Sequence, residues 1–182
     1  MIDFASPSAI LSELNIAPGM AVADLGAGNG AFTVPLARMV GPQGRVYAVE
    51  IQRTLVESLA AQIGKTGLSV QVLWGDLERL GGTKIADKSC DMVIASNVFF
   101  MLENRSACIS EIARILKPQG RVAVIDWSEG ADGIGPHPEM VVTQAALETL
   151  FTAAGFAKQK EFAAGSHHYG LIFSRTSASA GV

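Results

Sequence analysis

Cysteine, histidine and charge are all sparse in this sequence, and each shortage narrows what the chain can be. Two cysteines and three histidines stand at no spacing that a tetrahedral zinc site uses, so no metal centre is expected. Nor do Cys90 and Cys108 make a disulfide framework. One opens an apolar run and the other falls inside an expected helix, so both read as buried thiols in a reducing compartment. Lysine and arginine number 14 against 17 acids, a net charge of −3, which gives no reason to expect nucleic acid as the main partner. No stretch reaches the roughly 20 apolar residues of a membrane span. The opening MIDFASPSAI lacks the basic-then-apolar order of a signal peptide, so the protein is read as cytoplasmic.

What the chain has in quantity is apolar residues, 49% of the total, and 19 glycines. That combination suits a sheet buried on both faces and served by many tight loops. Its 182 residues fit one core. The expected organisation is a short leader over 1–18, a single domain over 19–175 and a flexible Ser/Ala/Gly tail over 176–182.

Strand and helix alternate along the domain. Strands are expected at Met20–Leu25, Arg45–Glu50, Val70–Trp74, Asp91–Ala95 and Val122–Ile125. Helices are expected at Ala31–Val40, Arg53–Ile63, where Leu55, Leu59 and Ile63 repeat every four residues, and Arg105–Leu116. A small helix capped by Ser8 is expected in the leader. This is the pattern of a doubly wound, Rossmann-like parallel sheet with helices on both faces. After a glycine-rich loop at Ser128–Pro138, a long helix is expected over Glu139–Ala153. Two strands then follow, Ala157–Phe162 and His168–Ser174, joined by only five residues. That link allows a hairpin and not a parallel crossover, so the last strand should run antiparallel.

The strongest local signal is Val22-Ala23-Asp24-Leu25-Gly26-Ala27-Gly28-Asn29-Gly30. Alternate glycines between a buried strand and a helix let the backbone turn sharply and bring a ligand close to it. Glu50, 24 residues after Gly26, is placed to accept from both hydroxyls of a ribose. Asp24, inside the end of its strand, would repel a pyrophosphate but receive an ammonium. Asp76 can accept from an adenine amino group, or serve only its Gly-Asp turn. Asp91 reads as structural, while Trp74, Phe99 and Phe100 divide between core and pocket rim.

The ordered set resembles the class I S-adenosylmethionine-dependent methyltransferases, closest in style to their ubiquinone/menaquinone-biosynthesis branch. Pro18–Gly30 is similar to their first motif, Gly44–Ile51 to the second, Gly75-Asp76-Leu77 and Cys90–Asn97 to the third and fourth, and Leu116–Trp127 to the segment through strand five. The likeness covers residues 8 to 174. It implies a seven-stranded sheet whose last strand is antiparallel, and S-adenosyl-L-methionine as cofactor. By the same likeness Asp24 with the loop Gly26, Ala27, Gly28 and Gly30 would hold the methionine part. Glu50 would hold the ribose, Ile51 would pack on adenine, Gly75, Asp76 and Leu77 would close the adenine pocket, and Asn97 would lie beside the sulfonium. Beside larger relatives the leader is short and no lid is inserted.

The acceptor side is read from topology. Ligands in open parallel sheets sit beyond the carboxyl ends of the strands. That places Asn97, Trp127, His137, His167 and His168 around the acceptor, with His137 as the candidate base. A small, partly apolar methyl acceptor is expected, and a homodimer is left open. Three other readings stay open: a protein or RNA methyltransferase, an NAD(P)-linked oxidoreductase, and a non-catalytic cofactor-binding subunit.

Overall fold

The computed structural model describes residues 6–129 and 135–176. The expected tail beyond 176 and residues 130–134 of the expected loop lie outside them. Seven strands form one sheet: β1 (Ala21–Leu25), β2 (Arg45–Glu50), β3 (Val70–Trp74), β4 (Cys90–Ser96), β5 (Leu116–Trp127), β6 (Phe156–Ala163) and β7 (His168–Arg175). Their order across the sheet is β3-β2-β1-β4-β5-β7-β6. The first five strands pair in parallel. β7 runs antiparallel between β5 and β6, the expected seven-stranded Rossmann-like arrangement.

Alternation along each strand sends side chains to two faces. Val22, Val46, Met92, Ile94 and Ile125 point to one, against α1 (Pro7–Ser12) and α2 (Thr33–Val40). Ala48 and Ala27 meet Leu59 and Ile63 of α3 (Arg53–Ile63). Ala23, Leu25, Val93, Ala95 and Val124 point to the other, against α4 (Arg105–Ile115) and α5 (Gln144–Ala153). There Phe151 stacks on Phe173 at 4.3 Å and meets Phe99 and Phe156 at 5.7 and 5.5 Å.

Three local expectations are corrected. The first helix is capped by Ser6, not Ser8: Ser6 Oγ accepts from the Ala9 amide. Pro7 lacks an N–H and has a preset φ, so it fits the first helical position and leaves the cap to the residue before it. Ile10, Leu11 and Leu14 are buried, so this segment belongs to the core. The helix expected from Glu139 is two pieces, a 3-10 turn at Pro138–Met140 and α5, because Thr143 turns its side chain onto the Ala146 amide and starts a new helix. β5 begins at Leu116 rather than Val122, with an irregularity in its pairing to β4 that absorbs Lys117–Gly120.

From β1 the chain winds outward to β2 and β3, then returns to β4 on the other side of β1. That reversal opens a crevice at the carboxyl ends of β1 and β4. β6 is parallel to β5, so its end at Ala163 and the start of β7 return to the same edge of the sheet, with Trp127 opposite His168.

Candidate active site

The glycine turn leaves β1 at the crevice. Gly26 and Ala27 both donate to the Val49 carbonyl, at 2.9 and 3.0 Å, tying the turn to β2. Gly26 lies at φ +72°, and a Cβ there would come within 2.6 Å of Val98 Cγ2, so glycine is required both by conformation and by packing. Gly28 differs. A Cβ on it would meet nothing nearer than a backbone oxygen at 4.0 Å, so its side faces open space where a ligand can approach. Ala27 and Gly30 are buried, Gly30 against Leu59.

Two acids stand behind the turn. Asp24 is buried and accepts from Thr33 Oγ1 at 2.6 Å. Burial pushes its carboxyl up to about 6, the Thr33 hydrogen bond opposes the rise and the nearby Glu50 charge adds to it. A buried acid poised in this way gains from a cation placed beside it. Glu50 accepts from Gly28 N at 3.0 Å through Oε2, and from Ile51 N and Gln52 N at 2.8 and 2.9 Å through Oε1. A carboxylate has about four acceptor sites. Three are taken by amides, so one remains on Oε2 for a ligand hydroxyl, where the sequence reading had two.

Beside Glu50, Ile51 exposes 55% of its surface, an apolar platform at the crevice edge. Gly75 donates to the Glu50 carbonyl at 3.1 Å and has no room for a side chain between Val49 and Gly82. Asp76 Oδ1 accepts from the Glu78 amide at 3.0 Å, so one of its oxygens does serve the turn. Leu77 is buried in the core with Leu25 and Val49. The loop carrying Asp76 and Leu77 is anchored from below by buried Glu111, which accepts from Gly81 N, Thr83 N and Oγ1, and Arg114. Those donors hold its carboxyl down at about 2, against the burial that works to raise it.

Across the crevice, Asn97 leaves β4 in the left-handed region, φ 57°, with its amide on the Ile125 carbonyl at 2.8 Å. Its Oδ1 lies 2.9 Å from His168 Nε2, so that nitrogen carries the proton. Burial and the neighbouring His167 push the His168 pKa down, favouring the neutral ring. The His168 ring packs on Trp127, centroids 4.2 Å apart. Asp126, which the sequence left without a role, is buried and accepts from Trp127 N and Phe100 N at 2.9 and 3.2 Å. It thereby ties the end of β5 to the 3-10 turn Phe99–Met101. A cavity of about 70 Å³ adjoins this group, lined by Ile10, Phe32, Ser96, Asn97, Ile125, Ala164 and His168.

The structure thus brings Asn97, Trp127 and His168 together. His167 reaches the group through its backbone, its carbonyl accepting from Ser128 N at 2.8 Å. His137 is exposed, at the residue before the 3-10 turn, with no side-chain hydrogen bond among the described residues. Thr33, Phe32 and Ile10 were missed. Thr33 was signalled by being a polar residue on a helix face that must be buried. Nothing local signalled Ile10, which meets the crevice only through the fold. Cys90 and Cys108 are free and buried, and Asp91 is structural, its carboxylate on Ala21 N and Lys117. No helix of the described residues is long and apolar enough to cross a membrane.

Comparison with known proteins decides the family. The family described as "Methyltransferase domain" matches residues 23–124, from within β1 to within β5 and more than half of the chain. The chain belongs to this family. It is the class I S-adenosylmethionine-dependent family that the motifs resemble. The domain is 28% identical over 160 residues to nocamycin O-methyltransferase of Saccharothrix syringae, covering 81% of this chain and 56% of that protein. It is 27% identical over 119 residues to the ubiquinone/menaquinone biosynthesis C-methyltransferase of Burkholderia cenocepacia, covering 65% of this chain and 48% of that one. The chain therefore spans about half the length of these curated relatives. A solved S-adenosylmethionine-dependent methyltransferase from Aquifex aeolicus superposes on the methyltransferase domain with a TM-score of 0.86 at 27% identity, covering 93% of this chain and 89% of that one.

Proposed function

We propose that this protein transfers a methyl group from S-adenosyl-L-methionine to a small, partly apolar acceptor. The observation that carries the reading is the pairing, at one crevice, of a buried Asp24 with a Glu50 already aimed by three amides. Around them lie the open side of Gly28 and the exposed Ile51. These features match the four parts of the cofactor: ammonium to Asp24, the methionine backbone over Gly26–Gly30, one ribose hydroxyl to Glu50, and adenine on Ile51 beside Gly75, Asp76 and Leu77. The cofactor supplies an electrophilic methyl on a sulfonium and leaves as a neutral thioether. The remaining work of the chain is to align the acceptor and exclude water.

Asn97, Trp127, His168 and the backbone of His167 form the acceptor side in this reading. The cavity of about 70 Å³ has four apolar lining residues and no Lys, Arg, Asp or Glu. A larger one of about 420 Å³ that also reaches His168 adds Phe162, Tyr169 and a single acid, Glu161, a lining that supports a partly apolar acceptor. Isothermal titration should show S-adenosylhomocysteine binding in the micromolar range, on the order of −8 kcal/mol, and no comparable NAD binding. Labelled-methyl transfer should then be screened across small phenolic, enolic and amine acceptors. Tight NAD binding without S-adenosylhomocysteine binding overturns the assignment. Cofactor binding with labelled methyl passing only to protein or RNA overturns the acceptor class.

A further inference from the structure

We propose that Trp74 is a positioning residue for the nucleoside end of the cofactor site, an inference that rests on the methyl-donor reading above. Trp74 ends β3 in register with Glu50 at the end of β2. Its Nε1–H donates to the Ile51 carbonyl at 2.8 Å. That carbonyl belongs to the peptide joining Ile51 to Gln52, whose own N–H donates to Glu50 Oε1 at 2.9 Å. A peptide unit is planar with its C=O and N–H pointing opposite ways. Holding the carbonyl on the indole therefore aims the Gln52 N–H at the carboxylate. The same peptide follows the exposed Ile51 side chain, so one indole N–H sets both the ribose acid and the adenine platform.

The ring adds two anchors. The Arg53 guanidinium, at the first turn of α3, sits 4.5 Å from its centroid, and the Lys84 ammonium sits 4.7 Å from it. Lys84 belongs to the segment between β3 and β4 that also carries Asp76 and Leu77, and its φ of +61° is uncommon for a residue with a side chain. Trp74 thus couples the two walls between which adenine would lie. Any apolar side chain would fill a half-buried strand end, and phenylalanine would still face both cations. Only the indole N–H accounts for the link to Ile51.

The test measures S-adenosylhomocysteine affinity by calorimetry for the wild type, Trp74→Phe and Trp127→Phe, each at a temperature where circular dichroism shows it folded. Amide hydrogen exchange at Gln52 is followed in the cofactor-free proteins. Losing one hydrogen bond should raise the dissociation constant of Trp74→Phe about threefold to tenfold. Gln52 exchange should quicken in that variant beyond the wild-type rate. In Trp127→Phe, Trp74 is the sole tryptophan, and its emission should shift on S-adenosylhomocysteine binding. Unchanged affinity in Trp74→Phe, weakened affinity with unchanged Gln52 exchange, or an unresponsive Trp74 emission each overturns the positioning role. A wild type that binds no S-adenosylhomocysteine overturns the methyl-donor reading instead, and Gln52 exchange still reports separately whether the indole pins that peptide.

Discussion

At the carboxyl ends of β1, β2 and β3, backbone holds the side chains, apart from Asp24 on the Thr33 hydroxyl. Glu50 is aimed by three amides and the glycine turn hangs from the Val49 carbonyl. Beyond β4, β5 and β7, side chains also hold one another: Asn97 meets His168, and His168 packs on Trp127. The residues joined on the first side are close in sequence or on neighbouring parallel strands. On the second side Asn97 meets His168 across 71 residues of chain. A backbone-held site accepts one ligand shape and tolerates few changes. A site held by side chains can be refitted by substitutions that leave the strands alone. The difference suits a fold that keeps its cofactor and varies its acceptor.

The comparison breaks most sharply at Glu50. Glu50→Gln keeps the shape but replaces one acceptor oxygen with a donor that faces amide N–H groups. S-adenosylhomocysteine affinity should fall about tenfold to a hundredfold while the melting curve stays cooperative. Titration calorimetry with thermal denaturation checks both, and an unchanged dissociation constant would remove Glu50 from the cofactor side.

Asp24 tests the same side through pH. Its folded pKa, about 6, lies above the ordinary 3.8, so the folded protein holds this proton more tightly than the unfolded chain does. Stability therefore falls as pH rises from about 4 to about 6 and levels off above. Asp24→Asn removes that dependence, and in the cofactor-free protein it should recover on the order of 2 kcal/mol above pH 6. Buried Asp126 has the same sign in the same window, so the informative quantity is the wild-type minus variant difference. Affinity should move the other way. Wild-type S-adenosylhomocysteine binding should strengthen as pH passes about 6 and Asp24 ionises, and Asp24→Asn should bind about tenfold more weakly with no such step. A variant with no stability gain and an intact pH step in affinity would place the titration elsewhere.

On the other side the effects should be smaller and confined to the acceptor. Asn97→Ala and His168→Gln should each slow methyl transfer about threefold to tenfold, and the double variant little more than either alone, since they share one hydrogen bond. S-adenosylhomocysteine affinity should hold for His168→Gln. Equal losses in affinity and turnover there would merge the two halves of the site. The smallest effect is expected at His137, exposed and without a side-chain partner among the described residues. His137→Gln should keep turnover within about twofold, and a collapse of the high-pH or low-pH limb in that variant would restore it as a base.

Legibility followed the same division. Strands β2 and β3 begin and end at the expected residues, β2 following Gly44 and β3 closing before Gly75. The five residues expected between the last two strands, four in the structure, were enough to require a hairpin. Boundaries failed where one residue competes for two roles, as Ser6 and Ser8 do beside Pro7. They failed too where a side chain starts a new helix, as Thr143 does. Asp24 and Glu50 were legible as crevice acids because both end strands beside the glycine turn, whereas Asp126 at the end of β5 holds backbone amides. The count of hydroxyls Glu50 can take was not, since it depends on amides from residues 28, 51 and 52 converging on one group.

The sequence by itself determined the alternation of strands and helices, the glycine turn and the order of acids behind it. These are set by backbone conformation and by residues within a turn or two of one another. Only the tertiary structure decided that His168 rather than His137 stands beside Asn97, a pairing across 71 residues. It also brought Ile10 to the same cavity as Ile125 and Ala164. Those contacts follow from β7 entering the sheet between β5 and β6 and from α1 folding onto α2. Such long-range choices are made by burial of whole faces, and no short stretch of residues records them.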